Sequence, residues 1–125
     1  MAGKVKSAKK PASKRATSTK RGLTFRHFFS TLGQDPMDSV SWERRHAVIR
    51  NASGQTVFEQ HNVETPSFWS DMALNVVSSR YFRGKPGSTE RETSVRALTL
   101  RIVNTIAAWG SEQAYFKSDE DAQAF

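Results

Sequence analysis

Three histidines, His27, His46 and His61, are the side chains of this sequence best suited to metal or proton chemistry. No two of them stand at the i, i+4 spacing that sets a pair of ligands on one helix face, and there is no cysteine to complete a mixed site. That spacing supports surface or hydrogen-bonded histidines. The lack of cysteine also excludes disulfides, thiolate metal centres and thiol catalysis within these 125 residues. Glu90 and Glu92 flank Arg91 ahead of a helical pattern. Together they could pass a proton, but a solvated helix entry explains them better. Arg83-Gly84-Lys85-Pro86-Gly87-Ser88-Thr89 has the composition of a phosphate-binding loop without the Gly-Lys-Ser/Thr ending at the required spacing. Contact of its cationic, glycine-rich backbone with a phosphate or an acidic partner stays open. Trp42, Trp69 and Trp109 are read as core or interface residues rather than stacking platforms. No residue is assigned a catalytic, cofactor-binding or metal-binding role.

The elements that must position these groups are a hairpin and two or three helices. Arg44-Arg45-His46-Ala47-Val48-Ile49-Arg50 has strand composition, Asn51-Ala52-Ser53-Gly54 is a hairpin loop, and residues 55–60 return as the second strand. A lone hairpin is marginal in water and must pack on something. The first helix is expected over residues 66–80, with Pro66 at its first position, Thr65 as its cap, and Trp69, Met72, Ala73, Val76 and Val77 on the buried face. Two glycines and a proline in residues 83–87 break it. A second helix follows, with Val95, Leu98, Ile102, Val103, Ile106 and Trp109 on one face and Gly110 as its C′ residue. Ser118-Asp119-Glu120-Asp121 is the acidic first turn of a third helix. A helix start four residues before Phe125 suggests a cut or shortened sequence. Ahead of the hairpin, residues 23–29 hold four large apolar side chains, fit for an arm or short helix laid on a surface, and residues 31–36 are a turn cluster.

The net charge of +7 is uneven. Residues 1–26 carry nine Lys and Arg and no acid, whereas residues 27–125 carry ten against twelve acids, a balance of −2. Residues 1–22 form a basic tail with almost nothing to bury, so disorder is expected there, and 23–125 form the single domain. The tail could be an arm for nucleic acid or an acidic partner, but it has no aromatic residue for base stacking and reads more simply as a solvated leader. No apolar run is long enough to span a membrane, and the basic start lacks the apolar segment of a secretory signal. Lysine richness without an amphipathic pattern argues against an organelle presequence, which leaves a soluble, cytoplasmic protein as the default.

Composition and pattern alone stop at an α+β module. The ordered series of motifs goes further. Gly33-Gln34-Asp35-Pro36-Met37-Asp38-Ser39-Val40-Ser41-Trp42-Glu43-Arg44-Arg45, then Ala47 to Asn51, Gly54 and Val57-Phe58-Glu59-Gln60, resemble the opening of the adenosylcobalamin-dependent (class II) ribonucleotide reductases. The resemblance continues through Val63-Glu64, Pro66, Trp69-Ser70, Ala73, Asn75-Val76-Val77, Tyr81-Phe82-Arg83-Gly84 and Glu90 to Arg96. It ends with Trp109-Gly110, Tyr115-Phe116 and Glu120-Asp121-Ala122. It covers residues 25–125 and leaves out the basic leader. Met37 and Thr65 stand where the family pattern leads us to expect Phe and Val, and Arg80 where we expect Lys.

The resemblance implies an oxidoreductase that reduces ribonucleotides to deoxyribonucleotides. In this family the cobalt–carbon bond of adenosylcobalamin generates a thiyl radical on a cysteine inside a ten-stranded α/β barrel, two further cysteines supply electrons, and a barrel Glu helps move protons. The matching stretch is the N-terminal module that precedes the barrel, so no catalytic residue carries over to this chain. Expected partners are the remainder of the reductase and, through it, a ribonucleotide and a thiol reductant. The alternative is a stand-alone nucleic-acid-binding module that uses the basic tail.

Overall fold

A computed structural model describes residues 21–125. The expected disorder of the basic tail falls almost wholly on residues 1–20, outside the described residues. The rest is α+β: a two-stranded antiparallel hairpin, β1 (Trp42–Arg50) and β2 (Thr56–Pro66), followed by α1 (Asp71–Arg80), α2 (Val95–Glu112) and α3 (Asp119–Ala124).

A 3₁₀ turn, Pro36–Ser39, leads into β1. Asp35 caps it by accepting the Met37 N–H at 2.9 Å, and the Trp42 indole N–H donates to the Met37 carbonyl at 2.9 Å, which locks the turn onto the strand. The hairpin loop is built by Asn51, whose side-chain oxygen accepts the N–H groups of Ser53 and Gln55. Gly54 supplies the left-handed residue (φ 81°) the loop needs. The register runs from Arg50↔Thr56 to Trp42↔Pro66, with a bulge where Arg45↔Val63 gives way to Ala47↔Gln60. There His46 of β1 faces two residues of β2, His61 and Asn62, and Asn62 takes the left-handed conformation (φ 57°) that absorbs the extra residue.

The strand outruns its expected end. Pro66 is not a first helical residue and Thr65 is not a cap; both belong to β2, where Thr65 pairs with Glu43 and Pro66 with Trp42. Pairing with β1 buries Val63, Thr65 and Pro66. Ser70 caps the helix instead, its hydroxyl accepting the Ala73 N–H at 3.2 Å, with Asp71 in the first turn and Arg80 in the last, each charge opposing the helix dipole. Trp69 thus lies just before the helix. The buried stripe of α1 is also displaced: Leu74 and Ser78 are fully buried, Val77 partly, while Met72 and Val76 are exposed. Ser78 can sit in the core because its hydroxyl donates to the Leu74 carbonyl at 2.7 Å.

The core comprises Ala47, Val63, Leu74, Phe82, Val95 and Leu98, with Trp42, Phe58, Trp69 and Val77 packed around it. It is sewn by polar contacts between elements. Asn75 accepts the Val48 N–H, and the Arg45 guanidinium reaches the Trp69 carbonyl at 2.7 Å and the Asp71 carboxylate. Ser94, the cap of α2, donates to Glu64 while the Glu64 N–H donates to the Thr93 carbonyl, so the entry of α2 lies alongside β2.

Gly110 is not a C′ residue. It lies inside α2, which is capped by Gln113 and followed by Ala114 in the left-handed conformation (φ 56°). A Cβ on Gly110 would meet Cε2 of Phe116 at 2.6 Å, so the helix continues and the missing side chain makes room for a buried ring. Phe116 forms a small second cluster with Phe25 and Phe125, ring centroids 5.5–5.9 Å apart. Residues 23–25 are an extended arm rather than a helix. The Leu23 N–H donates to the Tyr115 carbonyl, the Lys117 N–H to the Leu23 carbonyl, and the Phe25 N–H to the buried carboxylate of Asp121 at 2.8 Å.

Candidate functional site

The loop between α1 and α2 binds its own chain. Arg91 donates to the carbonyls of Phe82 (2.7 Å), Gly84 (2.8 Å) and Ser78, and through Nε to Gln60 at 3.1 Å. The Ser78 carbonyl belongs to the last turn of α1, which has no intrahelical donor left for it, and those of Phe82 and Gly84 to the loop that follows. Glu92 accepts two bonds from Arg101 (2.6 and 3.1 Å) and the Arg83 N–H at 2.7 Å. Arg101 is the main cause holding its carboxyl below the usual value, ahead of the opposing effect of burial and the support of the Arg83 N–H. An ionised, doubly engaged Glu92 is a poor proton shuttle, and Arg91 is committed to carbonyls. The phosphate-loop composition therefore resolves into a helix-terminating turn. Gly84 (φ 87°) is required there because a Cβ would sit 2.5 Å from the Glu90 carbonyl oxygen.

The histidines part company. His27 bonds through Nδ1 to the Ser30 hydroxyl at 2.8 Å. His46 and His61 stack face to face across the hairpin bulge, centroids 4.1 Å apart and planes 11° from parallel. Both Nε2 atoms approach Oε1 of Glu59, at 2.8 and 3.4 Å. Helical spacing could not reveal this pair. Counting outward from the hairpin loop does not reveal it either: the Arg50↔Thr56 pairing extrapolates to His46 opposite Gln60, and only the register shift between Ile49 and Arg50 sets His46 opposite His61.

One side of α2 is apolar and without a partner among the described residues. The expected face of α2 splits: Val95 and Leu98 enter the core, whereas Ile102, Val103, Ile106 and Trp109 are exposed, Trp109 by 57%. Two adjoining grooves, of 340 and 280 Å³, run along this side of the helix. Leu100, Val103, Phe28 and Phe29 line the first, Ile106, Trp109 and Tyr115 the second, and Phe125 both. Phe28 and Phe29 are 84% and 95% exposed. Exposed aromatic and aliphatic side chains contiguous on this scale mark an interaction face. Among the described residues no helix is long and apolar enough to cross a membrane.

Comparison with known proteins identifies the family. A family model described as class II vitamin B12-dependent ribonucleotide reductase matches residues 43–125. The chain is 45% identical over 116 residues to the vitamin B12-dependent ribonucleotide reductase of Streptomyces coelicolor, covering 90% of this chain and 12% of that one. It is 44% identical over 112 residues to the protein of the same name from Streptomyces clavuligerus, covering 89% and 12%. With the one from Rhodopirellula baltica it shares 43% over 106 residues, covering 83% and 10%. The chain thus spans about an eighth of the length of these relatives. Its α+β hairpin and helices, and the motif series over the same residues, agree with the match, and the chain belongs to the class II vitamin B12-dependent ribonucleotide reductase family as its N-terminal domain.

Proposed function

We propose that this chain is the structural, non-catalytic N-terminal module of an adenosylcobalamin-dependent ribonucleoside-diphosphate reductase. The whole enzyme would work in the cytoplasm, reducing ribonucleotides to deoxyribonucleotides for DNA synthesis and repair. The observation that carries the reading is the uncovered apolar side of α2 in a chain one-eighth the length of its relatives. Its partner is the remainder of the reductase, with the α/β barrel. The chain has no cysteine for radical transfer or electron supply. Its residues do not fit the cofactor either, because the grooves along α2 are lined mainly by apolar side chains and offer few partners to the amide-bearing rim of a corrin. Cobalamin, ribonucleotide and thiol reductant are therefore assigned to the remainder, and no catalytic residue to this segment. We place the domain boundary at residues 22 and 23, since Leu23 makes the first paired backbone contacts of the arm. The stand-alone nucleic-acid-binding alternative has no support from the family match, which lies wholly in residues 43–125.

The test is complementation. The Streptomyces coelicolor relative, stripped of the stretch this chain matches, is assayed for deoxynucleotide formation alone, with the chain, and with an Ile106→Asp variant. The wild-type chain is expected to restore activity or stability and the variant is not, while the chain alone turns over nothing. Turnover by the isolated chain would overturn the non-catalytic assignment. A mixture no better than the core, without complex formation in sedimentation, would overturn the packing role.

A further inference from the structure

We propose that His46, Glu59 and His61 form a three-ligand site for a divalent transition ion of the zinc class, clipping the two strands of the hairpin together at its bulge. Nothing in the reductase reading requires this site, and it stands independently of that reading. The three donor atoms, two imidazole nitrogens and one carboxylate oxygen, all lie within 4.8 Å of one another. Zinc–nitrogen and zinc–oxygen bonds of about 2.0–2.2 Å in tetrahedral geometry set donor atoms roughly 3.3–3.5 Å apart. The separations of Glu59 Oε1 from the two Nε2 atoms, 2.8 and 3.4 Å, bracket the lower edge of that range.

The ligands converge because of the backbone, not through chance meetings of long side chains. His46 comes from β1 and faces His61 at the bulge, and Glu59 lies two residues before His61 on the same face of β2. Asn62, left-handed at φ 57°, fixes that register, and the Arg44 guanidinium donates to its carbonyl at 3.2 Å. An ion bound by an imidazole lies in the ring plane, so the two stacked rings turn apart on binding. Their side chains, 44% and 73% exposed, have the room to do so. A neutral imidazole binds an ion through Nε2 with its single proton on Nδ1, so a ring that carries its proton on Nε2 takes the other tautomer on binding, and a doubly protonated ring releases one proton to solvent. Two nitrogens and one oxygen suit Zn²⁺, Ni²⁺ or Cu²⁺, whereas Mg²⁺ and Ca²⁺ prefer all-oxygen shells. The fourth position stays open to water.

The probe is ZnCl₂ titrated into the metal-free, full 125-residue chain, followed by calorimetry and by NMR of the histidine imidazoles. One ion per chain is expected, with the His46 and His61 signals perturbed and those of His27 unmoved. His46→Ala and His61→Ala should each weaken binding at least about tenfold, the loss that removal of even a supporting partner causes at metal sites. Glu59→Gln should weaken it in the same direction, and His27→Ala should leave it unchanged. These side chains are exposed, so the variants should retain the fold, and a zinc-dependent rise in Tm should vanish in the His46→Ala/His61→Ala double variant. Absence of binding, binding that survives the double variant, or perturbation of His27 in place of His46 and His61 would overturn the proposal.

Discussion

Replacing Thr65 by valine should stabilise this domain. Two hydroxyl-bearing side chains in the core are fully buried, Thr65 and Ser78. Ser78 donates to the Leu74 carbonyl, but Oγ1 of Thr65 has no hydrogen-bond partner among the described residues. A buried hydroxyl without a partner costs about 1–3 kcal/mol, and replacing it with an apolar group of the same shape removes that penalty. The methyl group introduced adds apolar burial worth up to roughly 0.8 kcal/mol. Some strain is expected, because the pocket is shaped around an oxygen, so the net gain is set at about 1–2 kcal/mol. For a domain of this size that corresponds to a rise in Tm of about 4–16 °C. Differential scanning calorimetry of wild type, Thr65→Val and Thr65→Ser reads it directly. The serine variant keeps the hydroxyl and loses the methyl, so it should melt below wild type. A valine variant that melts at or below wild type would refute the reasoning, since it would mean that the hydroxyl is satisfied in solution. Valine is also the residue the family pattern leads us to expect here, so the prediction asks whether this chain carries a local defect.

Gly110→Ala should destabilise by about 1–2 kcal/mol: the helix gains roughly 1 kcal/mol in propensity, but the added Cβ overlaps the Phe116 ring. Urea denaturation checks it, and a more stable variant would show that the ring yields freely. Acid should weaken the fold through Asp121 and Glu92. The Ser118 hydroxyl and then the Phe25 N–H hold the Asp121 carboxyl below its usual value, as Arg101 does for Glu92. A carboxyl lowered in the folded state contributes stability that is fully present above its ordinary value, about 4, and lost as pH falls through the lowered one. Tm should therefore drop below about pH 4 more steeply in wild type than in an Asp121→Asn/Glu92→Gln variant, and equal slopes would refute the assignment.

What was legible in the sequence was local. Asn51 and Gly54 announce the hairpin because a tight loop is set by its own residues, and Ser118 followed by three acids announces α3 because a cap acts within one turn. The errors share a cause. Pro66 has every local qualification for a helix start, yet its pairing with Trp42, twenty-four residues earlier, keeps it in the strand. Gly110 resembles a helix stop until Phe116 is placed against it. Met72 and Val76 fit a buried stripe by spacing, but the hairpin meets the face that carries Leu74 and Ser78. The histidine cluster is not legible because two register shifts in the hairpin decide which residues of β2 face His46. The apolar side of α2 was legible as a stripe, but a stripe does not say whether its own chain or a further domain will cover it.

The clasp between the arm and the C-terminal segment bears on the order of events during synthesis. Phe25 meets Asp121 across 96 positions of sequence, and the Leu23 backbone waits for Tyr115 and Lys117. Contacts this far apart close late, because the entropy of the intervening loop must be overcome before they contribute. On the ribosome the hairpin and α1 can assemble as soon as residue 80 has emerged, whereas the arm can dock only after residue 121 has left the exit tunnel. Until then Phe25 is an unclaimed apolar side chain on a nascent chain, beside Phe28 and Phe29, which stay exposed even after docking, and a chaperone that binds such segments would find its window there.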